Sequence, residues 1–324
     1  MKNQLNDELV SAIKNSVADD QNIANLLMNI LSMGKEAVYR RLRGDVPFTF
    51  DEVSKISSKL CISLDNIVNI KNTKRAFFDL DLNIQQLTDP LDHYCDKLES
   101  CILMFQKLHK CENSTARLAI NSLPYMFYLP FPHIAKFRLY RWLYQLEVIS
   151  TIGSYEEMRV PQKVSDIEKR FVAEQRYIAD TTFIMDQNVF KSFISDVNYF
   201  YKLNLLSNND VHLIQNELLE LISNLETVAA TGTQKTGTKI NLYVSNIDIE
   251  SSYLHFECDN CENSFLRVFS INIMDSQNPT ICSIQKEWID SLKRYSTLIS
   301  VSGEIQRTEF FNMQRELTLK MGCF

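Results

Sequence analysis

No stretch of this 324-residue chain approaches the roughly 20 consecutive apolar residues needed to cross a bilayer, and the N-terminus MKNQLNDELVSAIKNS has no apolar run behind its first lysine. Neither membrane insertion nor secretion is expected, and the sequence reads as cytoplasmic. Cysteine is present without the density of a disulfide-built secreted domain: eight residues stand irregularly at 61, 95, 101, 111, 258, 261, 282 and 323. They read as reduced thiols. A general excess of positive charge is missing too, since the formal net charge of −6 excludes a surface coated everywhere with nucleic acid and leaves room for one local basic patch. Catalytic frames are also lacking. There is no G-x-S-x-G, no HxK pair and no carboxylate cluster in a known arrangement, and the histidines at 93, 109, 133, 212 and 255 stand beside no nucleophile in a motif. Enzymatic activity is not expected, and no cofactor is implied.

What is present is an ordinary globular composition, 45% hydrophobic and 23% charged, in a chain long enough for two or three domains. The most basic stretch is KEAVYRRLR at 35–43, where Lys35, Arg40, Arg41 and Arg43 face only Glu36, a local net charge of +3. A run of short helices surrounds it. Leu9, Val10 and Ile13 fall at helical spacing, with Asn6 or Asp7 as the cap; Ile23, Leu26, Leu27 and Ile30 line a second helix. After the break Ser32-Met33-Gly34, a third helix places Val38 and Leu42 on one face and Lys35, Tyr39, Arg40 and Arg43 elsewhere. Gly44 stands where a left-handed residue ends a helix. Thr49 and Glu52 have the spacing of a capping box for a fourth helix carrying Val53, Ile56 and Leu60. Ser63 opens a fifth, with Asn66 three residues on and Leu64, Ile67 and Val68 inside.

In order and spacing, residues 5–70 resemble the Cro/C1-type, lambda-repressor-like (XRE-like) helix-turn-helix. The features are a second helix with a small interior residue (Ala24), a short turn, a basic third helix ending VYRRLRG, a helix FTFDEVSKISSKL and the closing CISLDNIV. The resemblance implies sequence-specific binding of double-stranded DNA by a transcription regulator, usually as a homodimer. It implies base-edge contacts from Lys35, Glu36, Tyr39 and Arg40 and phosphate contacts from Gln21, Arg41 and Arg43. One departure stands out: many members keep an apolar residue three before the terminal glycine, where this chain has Arg41, so that Leu42 is left to supply the core contact.

Beyond Ile70, Lys71–Arg75 form a short polar joint without glycine or proline. Leu91, Leu98, Ile102, Phe105 and Leu108 then mark an amphipathic helix, and further helices read at about 115–127, 132–150, 162–180, 186–204 and 208–229. Phe131, Phe137, Tyr140, Trp142 and Tyr144 recur at helical spacing, which favours core over a ligand surface. GTQKTGTK at 232–239 superficially resembles a phosphate loop but reverses its Lys-Thr order and precedes a strand, so it reads as a mobile loop. Alternation at 240–244, 254–256, 266–268 and 271–273 marks strands of a small antiparallel sheet; two helices follow, with Ile284, Trp288, Leu292 and Tyr295 on the inner face of the first and Ile305, Met313 and Leu317 on that of the second. His255, Cys258, Cys261 and Cys282 offer a weak zinc-type set, against which Asp259-Asn260 reads as a plain hairpin turn.

The expected architecture is therefore mainly α: a five-helix DNA-binding domain at 1–72, a helical domain at 73–230 for dimerisation or sensing, and a small α+β region at 231–324. A small-molecule or peptide effector is the expected partner of the latter two, and no membrane is. Two other readings compete: a peptide-receptor-like regulator, which requires a helical repeat near 34 residues that the sequence does not display, and a protein-interaction scaffold that binds no DNA.

Overall fold

A computed structural model of the chain describes residues 4–17, 23–60, 62, 64, 67, 78–80, 89–111, 113–146, 154–259, 261–269 and 272–323. The chain divides into two compact units, Met1–Phe77 and Phe78–Phe324. The first holds α1 (Gln4–Ser16), α2 (Ile23–Leu31), α3 (Lys35–Leu42) and α4 (Phe50–Leu60). Leu9, Ile13, Ala24, Leu27, Leu31, Val38 and Ile56 close its core, each on the apolar face its spacing dictates. Of the expected fifth helix, Leu64 and Ile67 pack into the same core, and its other residues lie outside the described ones.

Local chemistry sets the turns. Gly44, at φ +81°, is the left-handed residue that ends α3, and Ser32 takes φ +51° between α2 and α3. The capping box forms: Glu52 Oε2 accepts from the Thr49 N–H at 2.9 Å, and Thr49 Oγ1 accepts from the Glu52 N–H at 3.4 Å. Asn6 is not a cap. It lies inside α1, where its Nδ2 donates to Arg41 O (3.2 Å) and its Oδ1 accepts from the Phe48 N–H (3.0 Å), tying α1 to both ends of the α3–α4 connection.

The second unit overturns the mainly α expectation. It contains β1 (Asp79–Leu80), α5 (Pro90–His109), β2 (Thr115–Ile120), α6 (Tyr125–Tyr128), α7 (Pro132–Gln145), α8 (Gln162–Glu174), β3 (Asp180–Met185), α9 (Lys191–Lys202) and α10 (Asn208–Thr231). There follow β4 (Lys239–Ser245), β5 (Tyr253–Cys258), β6 (Cys261–Phe269), β7 (Asn272–Ser276), α11 (Pro279–Leu292), β8 (Ser296–Leu298) and α12 (Glu304–Leu319). One eight-stranded mixed sheet runs β1-β7-β6-β5-β2-β3-β4-β8, with β2, β3 and β4 parallel and every other pairing antiparallel. β2, from a segment read as helix, and β3, from the gap between the helices read at 162–180 and 186–204, sit at its centre between β5 and β4. The boundary expected at residue 230 therefore falls within one sheet. Covered on both faces, these two strands lose the alternation that marks a half-buried strand; β3 is buried at five of six positions.

Leu118, Phe183, Leu242 and Phe256 face the helical side, where α5, α7, α8, α9 and α10 build the main core. The aromatics Phe131, Phe137, Tyr140 and Trp142 are buried in it. Ala119 and Ile184, with Tyr243 and Tyr253, face the other side and pack on Ile289 and Leu292 of α11. The faces of the last two helices differ from expectation. Ile284 and Trp288 point outward at 63% and 53% exposure, while Ile281, Cys282, Gln285, Ile289 and Leu292 turn inward. Gln285 is the reason: its Nε2 donates to Leu254 O and Phe265 O, both at 2.9 Å, so a polar residue belongs on the buried face. On α12 the inward residues are Phe310, Phe311, Gln314 and Thr318, with Ile305 and Met313 exposed. The 232–239 segment is a tight connection rather than an unattached loop: Gly232 (φ +69°) ends α10, Thr233 bridges Lys239, and the Thr236 and Thr238 hydroxyls donate to Arg176 O.

Candidate nucleic-acid interface

A basic helix can read DNA only if one face is anchored and the opposite face is open. Val38 is the anchor of α3, fully buried against α2 and α4, with Leu42 half-buried beside it. A rotation of 100° per residue then leaves Lys35, Glu36 and Arg40 exposed, and the structure places all three in solvent. Tyr39 is half-buried, its ring against the core edge and 5.9 Å from the Lys35 ammonium, near the outer limit for a cation–π contact. These four side chains, the predicted base readers, come together on the N-terminal two turns of the helix.

The predicted phosphate contacts divide. Arg41 is committed inside the fold: its Nε and Nη2 each donate to a Glu52 carboxylate oxygen at 2.7 Å, and Nη1 donates to Ala37 O at 3.3 Å. The two side chains are 16% and 13% exposed. Burial alone would push the Glu52 carboxyl up; the Arg41 guanidinium and the Thr49 N–H reverse that and hold it below its ordinary value. The departure at position 41 thus has a structural answer. A planar, bidentate ion pair joins α3 to α4 where an apolar contact was expected, and Leu42 rather than Arg41 meets the core.

Arg43 stays at the surface, bonded to Asp45 (3.0 Å) and Glu36 (3.4 Å), both exposed pairs that solvent screening makes cheap to exchange for a phosphate. Gln21 lies outside the described residues. One exposed residue was missed from sequence. Phe50 is 80% exposed at the start of α4, although its spacing to Val53 suggests an inward ring; its place in the first turn, beyond the reach of the core, leaves it outside. Lys55 and Lys59 on α4 are exposed as well.

The weak zinc-type set does not assemble. His255 and Cys258 are three apart on β5 and so point to opposite sides of the sheet. Cys258 and its cross-strand partner Cys261 belong to the helical side, whereas His255 shares the α11 side with Cys282 and bonds Ser264 Oγ through Nδ1 at 3.1 Å. Among the described residues, no three His, Cys, Asp or Glu side chains are grouped to hold a metal. Among them, too, no helix is long and apolar enough to cross a membrane.

The open face of α3 offers donors with the chemistry of base recognition. Arg and Lys donate to guanine O6 and N7, and a carboxylate accepts from the cytosine amino group. Comparisons of the chain with protein-family models, with curated proteins and with solved structures return no match.

Proposed function

We propose that the chain is a cytoplasmic, sequence-specific DNA-binding transcription regulator that acts as a homodimer. In this reading Lys35, Glu36, Tyr39 and Arg40 contact base edges, Arg43 contacts phosphate, and residues 78–324 receive a signal. The observation that carries the reading is the pairing of a buried Val38 with an exposed Lys35–Glu36–Arg40 face on a short helix that follows α2 across a three-residue turn. That is the arrangement a recognition helix needs to enter the major groove. Dimerisation follows from the small number of contacts one such helix makes. Arg41 leaves the set of DNA contacts, because releasing it would strand Glu52 half-buried without its partner.

The test is selection of preferred sites from random duplexes by the full chain, then titration at about 50 and 200 mM salt. Arg40→Ala is expected to weaken the selected site by about 1–3 kcal/mol and to relax preference at one base pair. Arg43→Ala should weaken all duplexes alike and lower the salt slope by about 1. Selection of no site, or an Arg40→Ala plus Arg43→Ala chain with unchanged affinity and slope, would leave the protein-interaction reading. The helical-repeat reading calls for stacked helix pairs, whereas residues 78–324 form a mixed sheet with helices on both faces.

A further inference from the structure

We infer that the cavity between the helical face of the sheet and the 121–128 segment is a binding site for a small amphipathic carboxylate. Its apolar body would lie among Met104, Phe105, Leu118, Phe256, Phe265 and Ile273, and its carboxylate against the guanidiniums of Arg267 and Arg138. The cavity has about 780 Å³ of non-atom space, a figure that includes the open solvent of its mouth. Its walls come from α5, β2, α8 and β5–β7, so most of it is rigid sheet and helix.

Two features argue for a ligand with a charged end. The first is position. The cavity is lined by Leu118, Ile120 and Ser122, where β2 ends at its carboxyl terminus and the chain leaves the sheet, the edge at which α/β sheets hold ligands. The second is the polar end itself. Arg267 lies just before a register break in the β6–β7 pairing, a device that re-aims side chains, and reaches Ser122 Oγ at 2.5 Å. Arg138, on α7, donates to Leu123 O at 3.4 Å and lies 5.1 Å from the Tyr128 ring centroid. The two arginines thus line one cavity and bond adjacent residues, and burial, then the charge of Arg138, lower the Arg267 guanidinium from its ordinary value. Burial raises the Tyr125 and Tyr128 hydroxyls above their ordinary value, helped at Tyr125 by Tyr128 and opposed at Tyr128 by Arg138 and Arg267, so each stays protonated and can donate to an anion. A carboxylate between the two arginines would relieve their repulsion, and the apolar walls would take its chain.

The inference does not rest on the DNA reading and is tested without DNA. Hexanoate, octanoate, decanoate and dodecanoate are titrated calorimetrically into the full chain below their aggregation limits, with 1-decanol as the uncharged control. The expected result is one site per chain, about fifteenfold tighter for each two-carbon step until the cavity is filled, with decanoate at least tenfold tighter than decanol. Arg267→Met should bring acid and alcohol to within threefold of each other while alcohol binding persists. Met104→Trp should weaken both more than tenfold by filling the space. If Arg267→Met fails to fold, Arg138→Met gives the same reading. Absence of saturable binding by every member, equal affinity for decanoate and decanol, or binding indifferent to Met104→Trp would overturn the inference. A preference for peptides ending in a free carboxylate over all four acids would move the site to a different ligand class and overturn it as well.

Discussion

The two units use polar chemistry in opposite ways. In residues 1–77 the charged side chains of interest stand in solvent on a helix held by a few aliphatic residues. In residues 78–324 the telling polar groups are inside: Gln285 on sheet carbonyls, Glu168 on Tyr94, His255 against Ser264, and Arg267 in a cavity wall. Function on an exposed face can be changed without touching stability, whereas a buried polar group couples the two. Both tryptophans, Trp142 and Trp288, lie in the second unit, so their fluorescence follows that unit alone while far-ultraviolet dichroism follows both.

The largest effect expected lies on α11. Ile289→Ala should cost the second unit about 2–4 kcal/mol by leaving a cavity, while Ile284→Ala one turn away should stay within about 0.5 kcal/mol. Equal losses in denaturant titrations followed by tryptophan would mean the two faces had been exchanged. Next comes a pH contrast. Glu168 is buried beside the Tyr94 hydroxyl (2.8 Å), and burial raises its carboxyl to about 7 from 4.5, although the Tyr94 bond works the other way. Its contribution is thus fully present below about pH 4.5 and lost as pH rises through about 7. Glu168→Gln should make the second unit more stable by about 2–3 kcal/mol at pH 8, a gain that vanishes near pH 4. His255 runs the opposite way. Burial, and then Arg117, depress it to about 4 from 6.5, so its contribution is present above pH 6.5 and lost as pH falls through about 4.

In the first unit the largest expected change is at the one place where it imitates the second. Arg41→Ala should cost about 1–3 kcal/mol because Glu52 loses its partner, and Arg41→Met with Glu52→Gln, which keeps an acceptor for the Thr49 N–H, should recover most of that. Failure of the double replacement to recover stability would mean that charge, rather than packing, joins α3 to α4. The smallest effect belongs to Arg40→Ala and Lys35→Ala, which should leave the thermal midpoint unchanged while altering any DNA affinity.

Much of the first unit was legible because each of its rules is local. A glycine that ends α3, the Thr49–Glu52 box and the spacing around Val38 all act within a few residues. The exception, Arg41, is decided by a carboxylate on another helix. In the second unit, β4 to β7 announced themselves by alternation, whereas β2 and β3 did not, since strands covered on both faces carry no period of two; Thr181, Thr182 and Ile184 were the only local hint of strand. The α11 face was misread for a related reason. Sequence patterns assign apolar residues to the inside, and Gln285 is inside because two sheet carbonyls are there to receive it. His255 and Cys258 carry the reverse lesson: their spacing of three on one strand already denied a shared metal, before any coordinates.

The pairing of Thr115 with Glu257 and of Thr115 with Asp180 has a consequence for how the protein is made. A ribosome delivers β2 before either neighbour exists; β3 follows at Asp180–Met185, but the edge that β5 covers must wait until most of the remaining chain has been synthesised. The first unit, with contacts that close over short loops, has everything it needs while the second is still emerging. Newly made chains therefore pass through a stage with a finished N-terminal unit and a half-paired apolar strand, and premature termination anywhere between residues 121 and 252 leaves β2 permanently without β5. Such truncated products are where aggregation of this protein should begin.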